Sequence, residues 1–268
     1  MKAWIKRHPV TAFVILTLAW SWSIWSLLFL FIEPGGLLHN PPPASFLFVI
    51  LGGVGPSLSG LLITRLIDGR AGMRALWVGL RRARVGRWWF ALLIIPGVTA
   101  LTPLLRWLAG HAVDGGAMLA LIGPGLALGL TAGLMEEFGW RGFLLPRLLR
   151  RYSPLAATLI VGIVWGGLWH GYADYFGLGD KGMAFWPLML MLGPVLLTAW
   201  SLILTWVYEN TEGNLLLSIL MHTSISSSAL IFGQHYATLP EQMTWTAIST
   251  GLAVGAATVI WFVVRKPR

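Results

Sequence analysis

Eight long apolar stretches limit what this chain can fold into, because each is close to the roughly 20 residues that a helix needs to cross the hydrocarbon core of a bilayer. Hydrophobic residues make up 56% of the 268 positions and charged residues only 11%, which is more apolar than a soluble domain of this size requires. The sequence therefore predicts an all-α polytopic membrane protein with roughly eight transmembrane helices, folded as a single integral-membrane domain over residues 1–268. The stretches are Thr11–Ile32, Ala44–Ile67, Trp88–Ala109, Ala117–Met135, Leu155–His170, Met183–Val207, Leu215–Phe232 and Trp245–Val264.

Positive charge gathers in alternate connections between these stretches. By the positive-inside rule such connections face the cytosol, so both termini are expected there. The C-terminal residues do not resemble an organelle-retention signal, and the predicted location is the plasma membrane. Because the charges flank apolar spans and do not alternate with aromatic residues, the expected partner is anionic membrane lipid, and no nucleic acid is expected. The basic segments are Lys2–Arg7, Arg65–Arg87, Arg147–Arg151 and Arg265–Arg268.

Three of the predicted helices carry small or polar residues at a spacing of four, which allows neighbouring helices to approach closely. Each of these stripes also contains an ionisable residue. Glu136 and His170 lie almost equally far in sequence from the turn at Ser153, so an antiparallel hairpin would bring them to the same depth. A catalytic cavity is therefore expected between helices 4, 5 and 7. The stripes are Gly125, Gly129, Gly133 and Glu137; Gly162, Gly166 and His170; and Asn214, Ser218, His222 and Ser226.

The two adjacent glutamates of the fourth helix are expected to play different parts. Glu137 and Arg141 are four residues apart, in the favourable order for an ion pair on one helix face. Glu136 points about 100° away from Glu137 and has no such cation, so it is the better candidate for a general base. Ionisable residues at membrane depth are costly enough to indicate function. The alternatives are an interfacial salt bridge without chemistry and, for His170 and His222, packing residues that bind helix to helix.

The order and spacing of these motifs resemble the CPBP family of intramembrane endopeptidases. That family includes the CAAX prenyl endopeptidases (CAAX prenyl protease 2) and the bacterial Abi-like proteins linked to bacteriocin processing and immunity. The resemblance covers a core of about residues 116–232 and rests on these features: Glu136-Glu137-x-x-x-Arg141, a tryptophan-flanked His170, Gly213-Asn214 and His222-x-x-x-Ser226.

The resemblance implies a role for each motif residue. Glu136 and His170 would hold and deprotonate the attacking water. His222 would help to stabilise the oxyanion that forms on the scissile carbonyl. Glu137 and Arg141 take the positions of the family's second glutamate and its arginine, and would support the working carboxylate.

Two positions depart from the family pattern. Ser226 stands where the family commonly has asparagine, and its hydroxyl would supply a single hydrogen-bond donor with a shorter reach. Gly166 stands where the family commonly has phenylalanine, and the neighbouring Trp165 is expected to fill the space.

Two kinds of water activation fit this set of residues. Glu136, His170 and His222 would supply the glutamate and two histidines of a catalytic site for a divalent metal such as zinc, with one position left for water. The resemblance also allows a metal-free, glutamate-activated water, which we favour because Glu137 and Arg141 suit the tuning of a carboxylate. The chain has no cysteine, which excludes thiolate ligands and a cysteine nucleophile.

These observations predict an intramembrane endopeptidase that hydrolyses a peptide bond of a membrane-associated or lipid-anchored substrate near the cytosolic face. No residue identifies a prenyl group as the lipid. Two other functions are compatible with the same residues: a non-catalytic membrane scaffold that binds a peptide or partner protein, as an immunity role requires, and a proton-coupled transporter. No pair of broken helices in matching halves of the chain indicates an inverted-repeat transporter.

Overall fold

The computed structural model describes residues 2–30, 43–233 and 236–265. Within these ranges the regular structure is entirely helical, and no strand is present. The prediction of an all-α protein is therefore confirmed. The end of the first predicted span and the end of the basic tail fall in residues 31–42 and 266–268, which lie outside the described residues.

Eight long helices, labelled α1 to α8, make up most of the described chain. Among the shorter helices, Lys2–Arg7 precedes α1 and Gly115–Ala120 precedes α4. Residues 140–148 continue α4, and Gly69–Arg81, called the arginine helix below, links α2 to α3. The long helices are α1 (Pro9–Leu30), α2 (Ser45–Ile67), α3 (Gly86–Leu108), α4 (Ile122–Gly139), α5 (residues 154–178), α6 (residues 185–210), α7 (Leu215–Phe232) and α8 (Leu239–Val264).

These helices are long and apolar enough to make the chain an integral membrane protein. Among the described residues, six stretches are candidate membrane spans, and one of them, Pro154–Asn210, is 57 residues long and contains both α5 and α6. The six stretches therefore account for seven of the predicted helices. The remaining one, α4, has a lower mean hydropathy because it contains several glycines together with Glu136 and Glu137.

The bounds of α7 agree with the prediction, whereas α8 begins earlier than predicted. α7 has the predicted bounds, Leu215–Phe232. α8 begins at Leu239, ahead of the predicted start at Trp245, because the Thr238 hydroxyl accepts a hydrogen bond from the backbone N–H of Glu241 at 3.3 Å. This hydrogen bond caps the helix one and a half turns earlier than hydropathy indicates.

α5 and α6 form an antiparallel hairpin. The chain reverses at Gly182, where φ is 56°, a conformation that glycine adopts without a Cβ penalty. Deeper in the hairpin, the backbones of Gly166 and Gly193 touch, and a Cβ on Gly166 would collide with the Gly193 carbonyl oxygen. A Cβ on Gly162 would similarly lie 2.8 Å from the Cα of Thr198. The predicted small-residue stripe of this helix is therefore a close contact with α6.

The glycine stripe of α4 packs against α7. A Cβ on Gly133 would lie 2.6 Å from the carbonyl oxygen of Ile219, and Ser227 donates a hydrogen bond to the carbonyl oxygen of Gly125 at 2.9 Å. The α7 face at this contact is one position away from the predicted stripe, because His222 turns toward the glutamates at the end of α4 instead of facing its glycines. The observed contact residues are Ile219, Thr223 and Ser227, in place of the predicted Asn214, Ser218, His222 and Ser226.

Ion pairs gather several of the basic connections at one end of the bundle. They join the start of the arginine helix to the end of residues 140–148, the connection after the arginine helix to the turn after α6, and the end of α8 to the end of α6. At the opposite end, Arg106 of α3 pairs with Glu241 of α8 at 2.8 Å. The pairs at the basic end are Asp68–Arg147, Arg82–Glu212 at 2.9 Å and Glu209–Arg265 at 2.9 Å.

Replacing Gly133 with alanine should destabilise the protein, because its Cβ would lie 2.6 Å from the Ile219 carbonyl oxygen and would force α4 and α7 apart. We expect a loss of about 1–3 kcal/mol in the free energy of unfolding and a melting temperature lower by several degrees in detergent. Gly123→Ala is the matched control on the same helix, since a Cβ there meets nothing within 4 Å. Equal melting temperatures for the two variants would contradict the close packing.

Candidate functional site

Three helices converge on one buried cluster. The two glutamates occupy the last turn of α4, and the chain then widens into a π-helical turn over Trp140–Leu144. A second π-helical segment in α5, Ile163–Trp169, leads directly into His170. α7 contributes His222, so the cluster lies where helices 4, 5 and 7 meet. π-helical turns are rare and are frequent at functional sites.

The fully buried carboxylate of Glu137 is the centre of the cluster. Its Oε1 accepts a hydrogen bond from Nη1 of Arg141 at 2.7 Å and lies 2.7 Å from Nδ1 of His222. Arg141 is also fully buried, and its Nη2 donates to the hydroxyl of Ser201 in α6 at 3.0 Å. The ion pair expected from the spacing of four is present, and it is extended by one partner from α7 and one from α6.

Glu136 is 5% exposed and has a different set of partners. Its Oε2 accepts hydrogen bonds from the indole N–H groups of Trp140 at 3.1 Å and Trp165 at 2.8 Å. Its Oε1 lies 3.6 Å from Nε2 of His222, beyond hydrogen-bond distance. In the part of the chain that the structure describes, no lysine or arginine pairs with this carboxylate. One oxygen of Glu136 is thus fixed, while the other makes no direct hydrogen bond.

The indole of Trp165 contacts most members of the cluster. Its ring centroid lies 5.1 Å from that of His222 and 6.2 Å from that of His170. The guanidinium carbon of Arg141 lies 4.9 Å from the same ring, within the range of a cation–π interaction. Trp165 is fully buried, so it fills the interior beside Gly166 as the sequence predicts.

His170 lies at the edge of the cluster and is its more accessible histidine. Its side chain is 31% exposed, and its Nδ1 lies 3.7 Å from Oδ1 of Asp174, one helical turn later. Its ring also packs edge-on against Trp169, at 5.0 Å between centroids. None of the hydrogen bonds within the described ranges joins His170 to Glu136, so the two residues are neighbours through the ring of Trp165.

Ser226 lies one turn after His222 on α7 and is half-buried. No hydrogen bond of its hydroxyl occurs within the described residues. Three contributors were not predicted from the sequence: the Trp140 donor, Asp174 and Ser201. Asp174 has a signal in the sequence, because it follows His170 by four residues. Ser201 has none, since it is 60 positions away from the arginine that it contacts.

The metal-ligand set that the sequence left open as an alternative does not form a metal-sized cluster. Among the residues that the structure describes, no three histidine, aspartate or glutamate side chains lie close enough to hold an ion together. Glu136 and His222 approach to 3.6 Å, but the nearest carboxylate to His170 is that of Asp174. The arrangement therefore does not fit a metal site formed by Glu136, His170 and His222.

Comparisons with known proteins show what this segment is similar to. Residues 118–228 match the family model described as type II CAAX prenyl endopeptidase Rce1-like, and the match contains every motif residue from Glu136 to Ser226. The protein named CAAX prenyl protease 2 of Methanococcus maripaludis is 28% identical over 150 residues, which cover 50% of this chain and 52% of that relative. The chain thus matches about half the length of this curated relative. Over residues 118–228 the chain is thus similar to the Rce1-like type II CAAX prenyl endopeptidases.

Replacing Arg141 with glutamine should strongly destabilise the protein, because the buried carboxylate of Glu137 would lose its cation. We expect a cost of about 3–5 kcal/mol, read as a lower melting temperature in detergent. Arg82→Gln is the control, since its partner Glu212 is 86% exposed and such surface pairs contribute about 0–1 kcal/mol. Adding Glu137→Gln to the Arg141 variant should restore part of the loss, and no restoration would show that the two side chains are not coupled.

Proposed function

We propose that this protein is an intramembrane endopeptidase that hydrolyses a peptide bond of a membrane-associated or lipid-anchored protein. The observation that carries the proposal is a pair of buried, adjacent carboxylates that have different hydrogen-bond partners. Glu137 is engaged by Arg141 and His222, whereas Glu136 keeps one oxygen free of direct hydrogen bonds. The family match over residues 118–228 supports the same reaction class.

Glu136 is the proposed general base. Its Oε1 takes a proton from water as the water oxygen bonds to the scissile carbonyl carbon. When the tetrahedral intermediate collapses, the carbon–nitrogen bond breaks and the proton passes from Glu136 to the leaving amine. The indole N–H groups of Trp140 and Trp165 hold Oε2, which limits rotation of the carboxylate and orients Oε1 for both proton transfers.

His222 is the proposed donor to the oxyanion. Its Nδ1 lies 2.7 Å from Oε1 of Glu137, so this nitrogen carries the proton that the carboxylate accepts. In the doubly protonated imidazolium form, which the carboxylate of Glu137 favours, Nε2 also carries a proton and donates it as a hydrogen bond to the negative charge that develops on the carbonyl oxygen. Ser226, one turn away on α7, would add a hydroxyl donor. Glu137 and Arg141 act through His222 by fixing the orientation of its ring.

His170 is proposed to help Glu136 hold the water, and Asp174 to orient the ring of His170. The 3.7 Å between Nδ1 and the Asp174 carboxylate is longer than a hydrogen bond. Catalytic hydrogen bonds are often this long before substrate binds and shorten afterwards. A proton held on Nδ1 by Asp174 leaves the lone pair of Nε2 to accept a hydrogen bond from the water.

The substrate is proposed to reach the site from the cytosolic leaflet. Glu136 lies about 16 Å along the helix, at 1.5 Å per residue, from Arg147 at the basic end of the bundle. We place that end, together with both termini, in the cytosol and the protein in the plasma membrane, following the distribution of positive charge. The name of the Methanococcus relative, CAAX prenyl protease 2, makes prenylated peptides the first substrate class to test.

A non-catalytic scaffold is the second candidate function. It is favoured by the two indole N–H groups on Glu136, because a purely structural buried carboxylate would be satisfied in the same way. Such a scaffold would bind a peptide or a partner protein and would not cleave it. Dependence of cleavage on Glu136 separates the two functions.

Replacing Glu136 with glutamine should lower the rate of peptide cleavage by about 10²-fold or more, because the variant cannot accept the proton of the attacking water. The purified protein would be assayed in liposomes against farnesylated CAAX peptides, acylated peptides and unmodified transmembrane peptides. Glu212→Gln is the control, since this side chain is 86% exposed and its replacement should leave the rate unchanged.

Three outcomes of this assay are informative. Cleavage by the wild type that is lost in the Glu136 variant, at an unchanged melting temperature, supports the endopeptidase. Equal cleavage rates for the two proteins would overturn the role of Glu136 as general base, and binding of peptide without cleavage by either protein would favour the scaffold. Activity should also survive exhaustive chelation, and its loss with recovery on adding zinc would overturn the metal-free mechanism.

Replacing Asp174 with asparagine should lower kcat by between about 10-fold and 100-fold, because the asparagine no longer holds the proton of His170 on Nδ1, as a carboxylate that orients a histidine does. KM should change little, because Asp174 acts through His170. ¹⁵N NMR of histidine-labelled protein should also show loss of the Nδ1–H tautomer of His170, a readout that does not depend on activity.

Two further variants make this prediction selective. Asp174→Glu should recover part of kcat, since it restores a carboxylate. Asp180→Asn, at the tip of the same hairpin, should leave both kcat and the His170 tautomer unchanged. An unaltered tautomer in Asp174→Asn would overturn the orienting role, whatever the effect on the rate.

A further inference from the structure

Four arginines surround a single groove at the basic end of the bundle, outside the cluster that contains Glu136. The groove has a volume of about 400 Å³ and is lined by the last turn of α2 and by the arginine helix. No residue of the arginine helix is buried, so the groove is open to the surroundings of the protein. The lining residues are Arg65, Arg70, Met73, Arg74, Trp77 and Arg81.

The charges in this groove are not neutralised by the protein itself. Within residues 2–30, 43–233 and 236–265, none of the four groove arginines has a carboxylate partner. Five other arginines in the described residues each form an ion pair with an aspartate or a glutamate. Four like charges around one groove repel each other, and their guanidinium groups suit the oxygens of a phosphate. The paired arginines are Arg82, Arg106, Arg141, Arg147 and Arg265.

The surface next to the groove is apolar and faces the lipid. Arg65 lies in the last turn of α2 beside Leu62 and Leu66, which are 53% and 37% exposed on a candidate membrane span. Trp77 of the groove is 49% exposed, as is typical of tryptophans at the level of lipid headgroups. A basic groove that continues into a stripe of exposed leucines matches a ligand with an anionic head and an acyl chain.

We propose that this groove is a binding site for the phosphate headgroup of an anionic phospholipid, whose acyl chain lies along Leu62 and Leu66 of α2. The amphipathic sequence of the arginine helix, with arginines on one side and apolar residues on the other, suits a helix that lies in the membrane interface. The site is separate from the proposed peptidase chemistry and does not depend on it.

The arginine helix also packs against the rest of the bundle, so binding at the groove affects the packing of α4 and α7. Leu76 packs over α4, since a Cβ on Gly142 would meet its Cδ2 at 3.1 Å, and the ring of Trp77 lies 6.4 Å from that of Phe138. Farther along, Gly79 lies against Leu215 at the start of α7. The helix that binds the headgroup therefore covers the ends of α4 and α7, and a bound lipid holds it in place over them.

The test uses the full chain purified in a neutral detergent. Its melting temperature would be measured while phosphatidylglycerol, phosphatidylcholine or inorganic phosphate is added at matched concentration. We expect a saturable rise of roughly 5–10 °C with phosphatidylglycerol at a hundredfold excess over Kd, and no comparable rise with the other two. The rise should be lost in Arg70→Gln/Arg74→Gln and retained in Arg84→Gln/Arg87→Gln, which removes the same charge outside the groove.

Each alternative result would overturn the proposal in a different way. An equal rise with phosphatidylcholine would mean that the lipid is not recognised by its charge, and an equal rise with inorganic phosphate would mean a site for a soluble anion. Equal loss in the two double variants would indicate a general effect of net charge. If the glutamine variant cannot be purified, Arg70→Lys/Arg74→Lys keeps the charge but removes the guanidinium forks. This variant should bind phosphatidylglycerol more weakly, with an apparent Kd raised at least about tenfold.

Discussion

Oε1 of Glu137 accepts hydrogen bonds from side chains of two segments, Arg141 after α4 and His222 in α7, each at 2.7 Å. A carboxylate at this depth is tolerated only when it is paired and hydrogen-bonded. Arg141 extends the network to Ser201 on α6, so one buried charge ties three helices together. His222 reaches the carboxylate because the glycines of α4 let α7 approach to backbone distance. The geometry of the site therefore depends on the same close packing of α4 and α7 that stabilises the fold.

Much of the fold follows from hydropathy and spacing. Long apolar runs predicted the helices, and the run at Leu215–Phe232 has the observed bounds. Sequence reasoning was less successful where tertiary contacts decide. The face of α7 that meets α4 is one position away from the predicted stripe, since His222 turns toward the glutamates. The hairpin of α5 and α6 contains 57 continuous residues of candidate span, and a single positive φ at Gly182 separates its two arms.

In the candidate site, too, contacts within one helix could be predicted from the sequence, whereas contacts between helices could not. The Glu137–Arg141 pair follows from a spacing of four on one helix. Its contact with His222 joins residues 85 positions apart, which no helical periodicity can indicate. The π-helical segment before His170 also changes the phase of α5. Trp165 and His170 are five residues apart and would point about 140° away from each other at 100° per residue, yet their rings lie 6.2 Å apart. The family resemblance predicted that these residues share one site, whereas periodicity alone left their meeting open.

At Gly166 and Gly193 the backbones of α5 and α6 touch directly, which makes this crossing a pivot point for α5. A rotation of α5 about this crossing would displace each residue of the helix in proportion to its distance from Gly166. His170 is about 6 Å from Gly166 along the helix axis, and Leu178 at the end of α5 is about 18 Å away, at 1.5 Å per residue. Under such a rotation Leu178 would move about three times as far as His170. A small change of angle at Gly166 would therefore shift the tip of the hairpin while the position of His170 in the cluster changes little.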